Sequence, residues 1–357
     1  MLFGYPISAT EENWLHECLC EILHSIHTSL QEATKLPAWP EIIPALYRQR
    51  LSKRTGLRDR LNSYKTTVEK LTTAEQKKIL QALYDQNQIA LLLSCQLNCD
   101  AISDLPNPIH KPVKELFEFA FKLLTDLEIR DKHYKGIYDA APYHTCPFCG
   151  CEYFDAPGAP REALDHYLAD SKYPFAASNL RNLVPMGNKC NSRYKWAEDI
   201  LIKKGKKGGT RRKSFDPYNF TIGIIFSLEN SQPFAGKLES TGQLPQWQIE
   251  FSPNIEEVIT WDEVFHIQER YKRDILDAEF KTWLGQFKSW CKSRNIVPSS
   301  HQELLDEIDR YANYYEDQGM SDRAFLKAAV FRMLHTHCQN GDRRLISLIE
   351  GVIGINI

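Results

Sequence analysis

The chain has 357 residues, 43% of them hydrophobic and 25% charged, with a formal net charge of −2. That balance excludes a disordered tail protein and a uniformly basic nucleic-acid coat, so any polyanion must be held by a local patch. No run reaches the roughly 18 apolar residues of a membrane helix, and MLFGYPISATEENW lacks the basic-then-apolar order of a signal peptide; a cytoplasmic protein with no membrane contact is expected. The ten cysteines are spread along the chain, which favours reduced thiols, with any close pair binding metal rather than forming a disulfide.

In chain order, residues 8–30 read as an amphipathic helix with Ser8 and Glu11 as a capping box. Leu15, Leu19, Ile22, Leu23, Ile26 and Leu30 recur at helical spacing. His16, Cys20, His24 and His27 lie along the same helix. Their spacing permits metal ligation, but the blander reading is ordinary histidines and a small apolar cysteine. LPAWPEIIP breaks the pattern. A second helix follows Thr72–Glu75 and carries Ile79, Leu80, Leu83 and Tyr84. A third spans about Pro112 to Arg130, proline standing where its missing N–H costs nothing. Residues 1–135 are therefore expected to form a helical domain.

Residues 136–215 form a second segment. Two short strands are expected, at ALDHY around Asp165 and at NLVPM from Asn182, joined by the loop SKYPFAASNLR. A helix is expected over 188–204, and the lysine- and glycine-rich run 203–213 reads as a flexible loop. In residues 216–357, TIGIIFSLEN and QWQIEFS read as strands, with Trp247, Ile249 and Phe251 on one face and the stretch 232–245 as a loop. A long helix is expected from Thr260 and Glu263 through Phe287. Another starts at Ser300 with Glu303, and a last one runs from Ser321 to His337. The fold class is α+β, mostly α: a small central αβ module with a short β-hairpin, flanked by N- and C-terminal helical domains.

The chemistry concentrates in the middle. Cys146-Pro-Phe-Cys149-Gly is a knuckle whose two thiolates can clamp one structural Zn²⁺, with Cys190 as a third ligand. His144 or Cys151 is available as the fourth, because Gly187 stands where a second pair would place its first cysteine. Asp165-His166 sets a carboxylate beside an imidazole at a strand end, where both can serve one site.

The order CxxC, Asp-His, Asn-Leu-Val-Pro, Cys-Asn-x-x-x-Lys, over about residues 145–200, resembles the HNH endonucleases, also called His-Me finger or ββα-metal nucleases. The resemblance implies a ββα-metal finger with His166 as general base. It makes Asp165 and Asn191 ligands of a single catalytic Mg²⁺ or similar divalent ion, and Asn182 the residue that pins the loop and orients His166. The chain departs from the pattern at Gly187 and at Ala169 and Asp170. A metal on the phosphate and a neutral histidine near its working pH would together hydrolyse a phosphodiester. Lys203, Lys204, Lys206, Lys207, Arg211, Arg212 and Lys213 would hold neighbouring phosphates, with Lys172, Arg193 and Lys195 nearer the scissile bond.

The expectation is a metal-dependent endonuclease on nucleic acid, DNA favoured over RNA. Its helical domains would bind a regulatory protein partner, an arrangement that resembles bacterial anti-phage defence and restriction effectors. The alternatives are a non-catalytic zinc-finger-like module binding nucleic acid or protein, and an RNA-cleaving nuclease.

Overall fold

The structure, a computed structural model, describes residues 1–159, 164–196, 198–205, 208–237 and 243–355. The chain divides into two compact units, one taking in most of the residues up to Thr221 and the other chiefly Ile222–Ile357. The fold is mostly helical, and its named strands pair antiparallel in four separate two-stranded sheets. No helix among the described residues is long and apolar enough to cross a membrane.

The first unit opens with a 3₁₀ turn, Ile7–Thr10, and helix α1, Trp14–Gln31. The helix expected from residue 8 therefore starts six residues later. Ser8 gives its backbone carbonyl to the Glu11 N–H, and no side-chain cap forms there. Helices α2 (Ala45–Leu51) and α3 (Thr55–Val68) follow and were not anticipated. Helix α4, Thr73–Gln86, begins on the Thr72–Glu75 capping box, where each residue satisfies the other's backbone N–H. After α5 (Ile89–Leu93), helix α6 runs Asn107–Asp126 and takes Pro112 into its interior; α7, Ile129–Ala140, is a separate helix. Leu19, Leu23, Leu57, Tyr64, Leu116 and Phe117 from α1, α3 and α6 are fully buried and fill one core.

Against this core lies the pair β1 (Leu164–His166) and β2 (Leu183–Pro185), in the register Leu164↔Pro185, Asp165↔Val184, His166↔Leu183. The helix expected over 188–204 is instead one π-helical segment, Lys189–Lys195, stopped at Trp196 with φ of 32°. The run expected as a flexible loop begins as a hairpin, β3 (Ile202–Gly205) with β4 (Gly208–Arg211). Gly208, the first residue of β4, has φ of 118°, a conformation that favours glycine.

In the second unit β5 (Ile225–Ser227) pairs with β8 (Glu250–Ser252). The intervening stretch, expected as a loop, pairs as β6 (Gln232–Lys237) with β7 (Gln243–Gln246). The long helix expected from Thr260 is broken into α8 (Glu256–Phe265), α9 (Ile267–Arg270), a π-helical segment (Tyr271–Leu276) and α10 (Asp277–Ser293). His266, with φ of 51°, makes the first break, and Thr260 is buried inside α8 rather than capping it. Helix α11, His301–Asp317, is capped by Ser300, whose hydroxyl accepts from the Glu303 N–H. Helices α12 (Ala324–Gln339) and α13 (Arg343–Ile353) complete the chain; Asp342 caps the last.

Candidate functional site

Residues 167–182, between β1 and β2, form a loop with two 3₁₀ turns, Pro174–Ala176 and Leu180–Asn182. Asn182 holds it shut from inside. Its side chain is fully buried, its Oδ1 accepts from Leu168 N at 2.6 Å, and its Nδ2 donates to Leu168 O at 3.0 Å and Ala176 O at 3.2 Å. Asn179 docks the loop on the helices: its Nδ2 donates to Asn87 Oδ1, and its Oδ1 accepts from Asn13 Nδ2. Buried His16 meets the Ser178 hydroxyl at 3.0 Å.

This loop sets the state of His166. The ring lies over Phe121, with centroids 4.5 Å apart, and only 15% of the side chain is exposed. Nε2 is 2.9 Å from Ala177 O. A carbonyl only accepts, so Nε2 carries the proton and Nδ1 keeps its lone pair. Asp170 Oδ2 stands 3.7 Å from Nδ1. Burial lowers the imidazole below the ordinary histidine range, against the pull of Asp170 and Asp165. Beside Asp170 and Ala177 opens a cleft of about 150 Å³, also lined by Lys114, Glu118 and Ser171. Lys114 makes no ion pair among the described residues, and nothing in the sequence near it marked it.

Asp165 is differently placed. Its carboxylate is 2.7 Å from the ammonium of Lys195, a side chain 1% exposed. The same ammonium donates to His166 O at 2.8 Å. Burial raises the Asp165 carboxyl above the usual range, while Lys195 pulls it down. Asn191 lies in the π-helical segment; its carbonyl accepts from Trp196 N, and its side chain makes no hydrogen bond among the described residues. The structure thus brings Asp165, His166 and Lys195 together, with Asn182 behind them.

The sulfurs of Cys146, Cys149 and Cys190, all buried, lie within 4.8 Å of one another, a donor set suited to zinc. Neither expected fourth ligand joins them. His144 is exposed and stacked on Tyr138 at 3.9 Å, and Cys151 Sγ is turned to Cys149 O at 3.0 Å. At Gly187 the space a side chain would take holds the Glu152 carboxylate, 2.6 Å from where Cβ would stand. On α1, His16 meets Ser178, His27 meets the Tyr64 hydroxyl at 2.8 Å, and His24 is exposed, so these residues do not gather around one point.

The basic residues are scattered in role. Lys172 pairs with buried Asp199 at 2.8 Å, a carboxylate the sequence did not single out. Arg211 spends its donors on Asn98 and on carbonyls including Leu201 O and Leu97 O, and buried Arg212 donates to Asp199 O at 2.6 Å. Lys204 stands 3.9 Å from Glu198. Arg193, Lys203 and Lys213 are exposed, and Lys206 and Lys207 lie outside the described residues.

No family model and no solved structure matches the chain. A phosphoglycerate mutase of Schizosaccharomyces pombe is 30% identical over 196 residues, which cover 51% of this chain and 84% of that enzyme. That relationship overturns the resemblance to HNH endonucleases. With it fall the nuclease activity on DNA or RNA, the anti-phage assignment, the ββα-metal finger and the alternative of a zinc-finger-like binding module. The motif elements that suggested them are short, and the helix meant to carry Asn191 is a single π-helical segment. At 30% identity across 84% of that relative, the chain belongs to the phosphoglycerate mutase family.

Proposed function

We propose that the protein acts on phosphate monoesters, as a phosphatase or mutase, at the cleft beside His166. The observation that carries this reading is the Nε2–H bond to Ala177 O, which leaves Nδ1 as a base in a desolvated setting. Nδ1 takes the proton of the attacking oxygen, from water in a phosphatase or a substrate hydroxyl in a mutase. That oxygen bonds to phosphorus, the ester P–O bond breaks, and the departing oxygen takes a proton from solvent. Asp170 steadies the imidazolium that forms, and Lys114 offers the phosphate a cation. The relative's name supports a small phosphorylated acid as substrate.

Colorimetric hydrolysis of p-nitrophenyl phosphate by the full chain tests this. Turnover is expected to fall about 10²–10⁴-fold in His166→Ala, the usual range for loss of a general base. Equal rates in both proteins would reject the role of His166. We further propose that Cys146, Cys149 and Cys190 hold a structural Zn²⁺, and that the many thiols suit a reducing, cytoplasmic setting.

A further inference from the structure

We propose that Lys195 is the resident cation of the β1 strand end, a positioning residue that takes at Asp165 the place a divalent ion would otherwise fill. Three observations support this. The ammonium is almost wholly buried, it lies 2.7 Å from Asp165 Oδ2, and it donates to the backbone carbonyl of His166 at 2.8 Å. A buried charge is tolerated only when paired and hydrogen-bonded, and here one ammonium does both. The bond to His166 O fixes the strand end from which the imidazole projects, while Ala177 fixes the ring itself.

The π-helical path explains how a lysine reaches this point. The wider turn over Lys189–Lys195 turns the Lys195 side chain inward, whereas its neighbours Arg193 and Trp196 face solvent. A hard divalent ion needs open oxygens, and Oδ2 of Asp165 already faces the Lys195 ammonium at 2.7 Å. The inference bears on how the proposed His166 site is held, but its test does not depend on the reaction.

The measurement is Mn²⁺ binding, by electron paramagnetic resonance, to the full chain and to Lys195→Ala, Asp165→Asn and the double variant. Wild type is expected to show no Mn²⁺ site that depends on Asp165. Lys195→Ala should gain one, because the freed carboxylate now needs a cation, and the double variant should lose it. Unfolding by urea gives a second readout: each single variant should lower the folding equilibrium at least tenfold, and the double variant should lose far less than the product of the two. An Asp165-dependent Mn²⁺ site in wild type would overturn the proposal, as would independent, multiplying losses in the double variant. Failure of phosphate-ester turnover alone leaves both readouts intact, so the two ideas fail separately.

Discussion

Replacing Asn182 by alanine removes the clamp that shapes the loop presenting Ala177 to His166. The three bonds lost are Leu168 N to Oδ1 and Nδ2 to Leu168 O and Ala176 O, all in the buried interior. Each backbone group left without a partner costs about 1–3 kcal/mol, so a loss of about 3–5 kcal/mol is expected, tempered by any water that enters. Asn182→Asp is the sharper variant. It can still accept from Leu168 N, but it sets an oxygen against the Leu168 and Ala176 carbonyls, so it should cost at least as much as alanine. Urea unfolding followed by tryptophan fluorescence gives both numbers. A loss below about 1 kcal/mol for both variants would refute the idea that this residue shapes the loop, since that is within the range of one ordinary hydrogen bond.

Other expectations follow from single contacts. Burial lowers His16 to about 4 from the ordinary 6.5, so the folded state binds fewer protons than the unfolded chain between those values. The stability from keeping it neutral is complete above about pH 6.5 and is lost as pH falls towards 4, by an order of ~2–3 kcal/mol; urea midpoints of His16→Gln should fall less steeply over that window. Phe117, fully buried and edge-on to Phe175 at 5.5 Å, should cost about 3–5 kcal/mol as alanine, read by thermal unfolding. Lys327, 3% exposed with its ammonium 4.2 Å from the Tyr315 ring and 5.8 Å from the Trp283 ring, should tolerate methionine within ~1.5 kcal/mol, whereas glutamate should cost ~3 kcal/mol or more, because the ring faces repel an anion. Zinc content by mass spectrometry should fall from about one ion per chain to a small fraction in Cys190→Ser, if three thiolates anchor the ion.

What could be read in advance was whatever the chain decides locally. The capping residues Thr72–Glu75 and Ser300–Glu303 act over three positions, so the helix starts at 73 and 301 were visible. The strands at Asp165 and Leu183 were also visible, because a short apolar run flanked by turn residues has few other uses. Helix α3 is legible only in the spacing of Leu57, Leu61, Tyr64 and Val68, every three or four residues, because no capping side chain marks its start. The hairpin at 202–211 was hidden because lysines and glycines that suit a solvated loop also suit an exposed two-stranded ribbon. Lys195 could not be read as buried, because its partner lies thirty residues earlier and the π-helical path is not written in local composition. The Asp-His pair attracted a metal, but the structure sets the carboxylate against a lysine and the imidazole between Ala177 O and Asp170, two residues that line a small cleft.

The most direct test of the account is ³¹P NMR of a phosphoglycerate incubated with the full chain and, in parallel, with His166→Ala. A new phosphate resonance, from transfer or release, is expected, forming at least about 100-fold more slowly in the variant. An unchanged spectrum with the wild-type protein, or equal rates in the two samples, would contradict it.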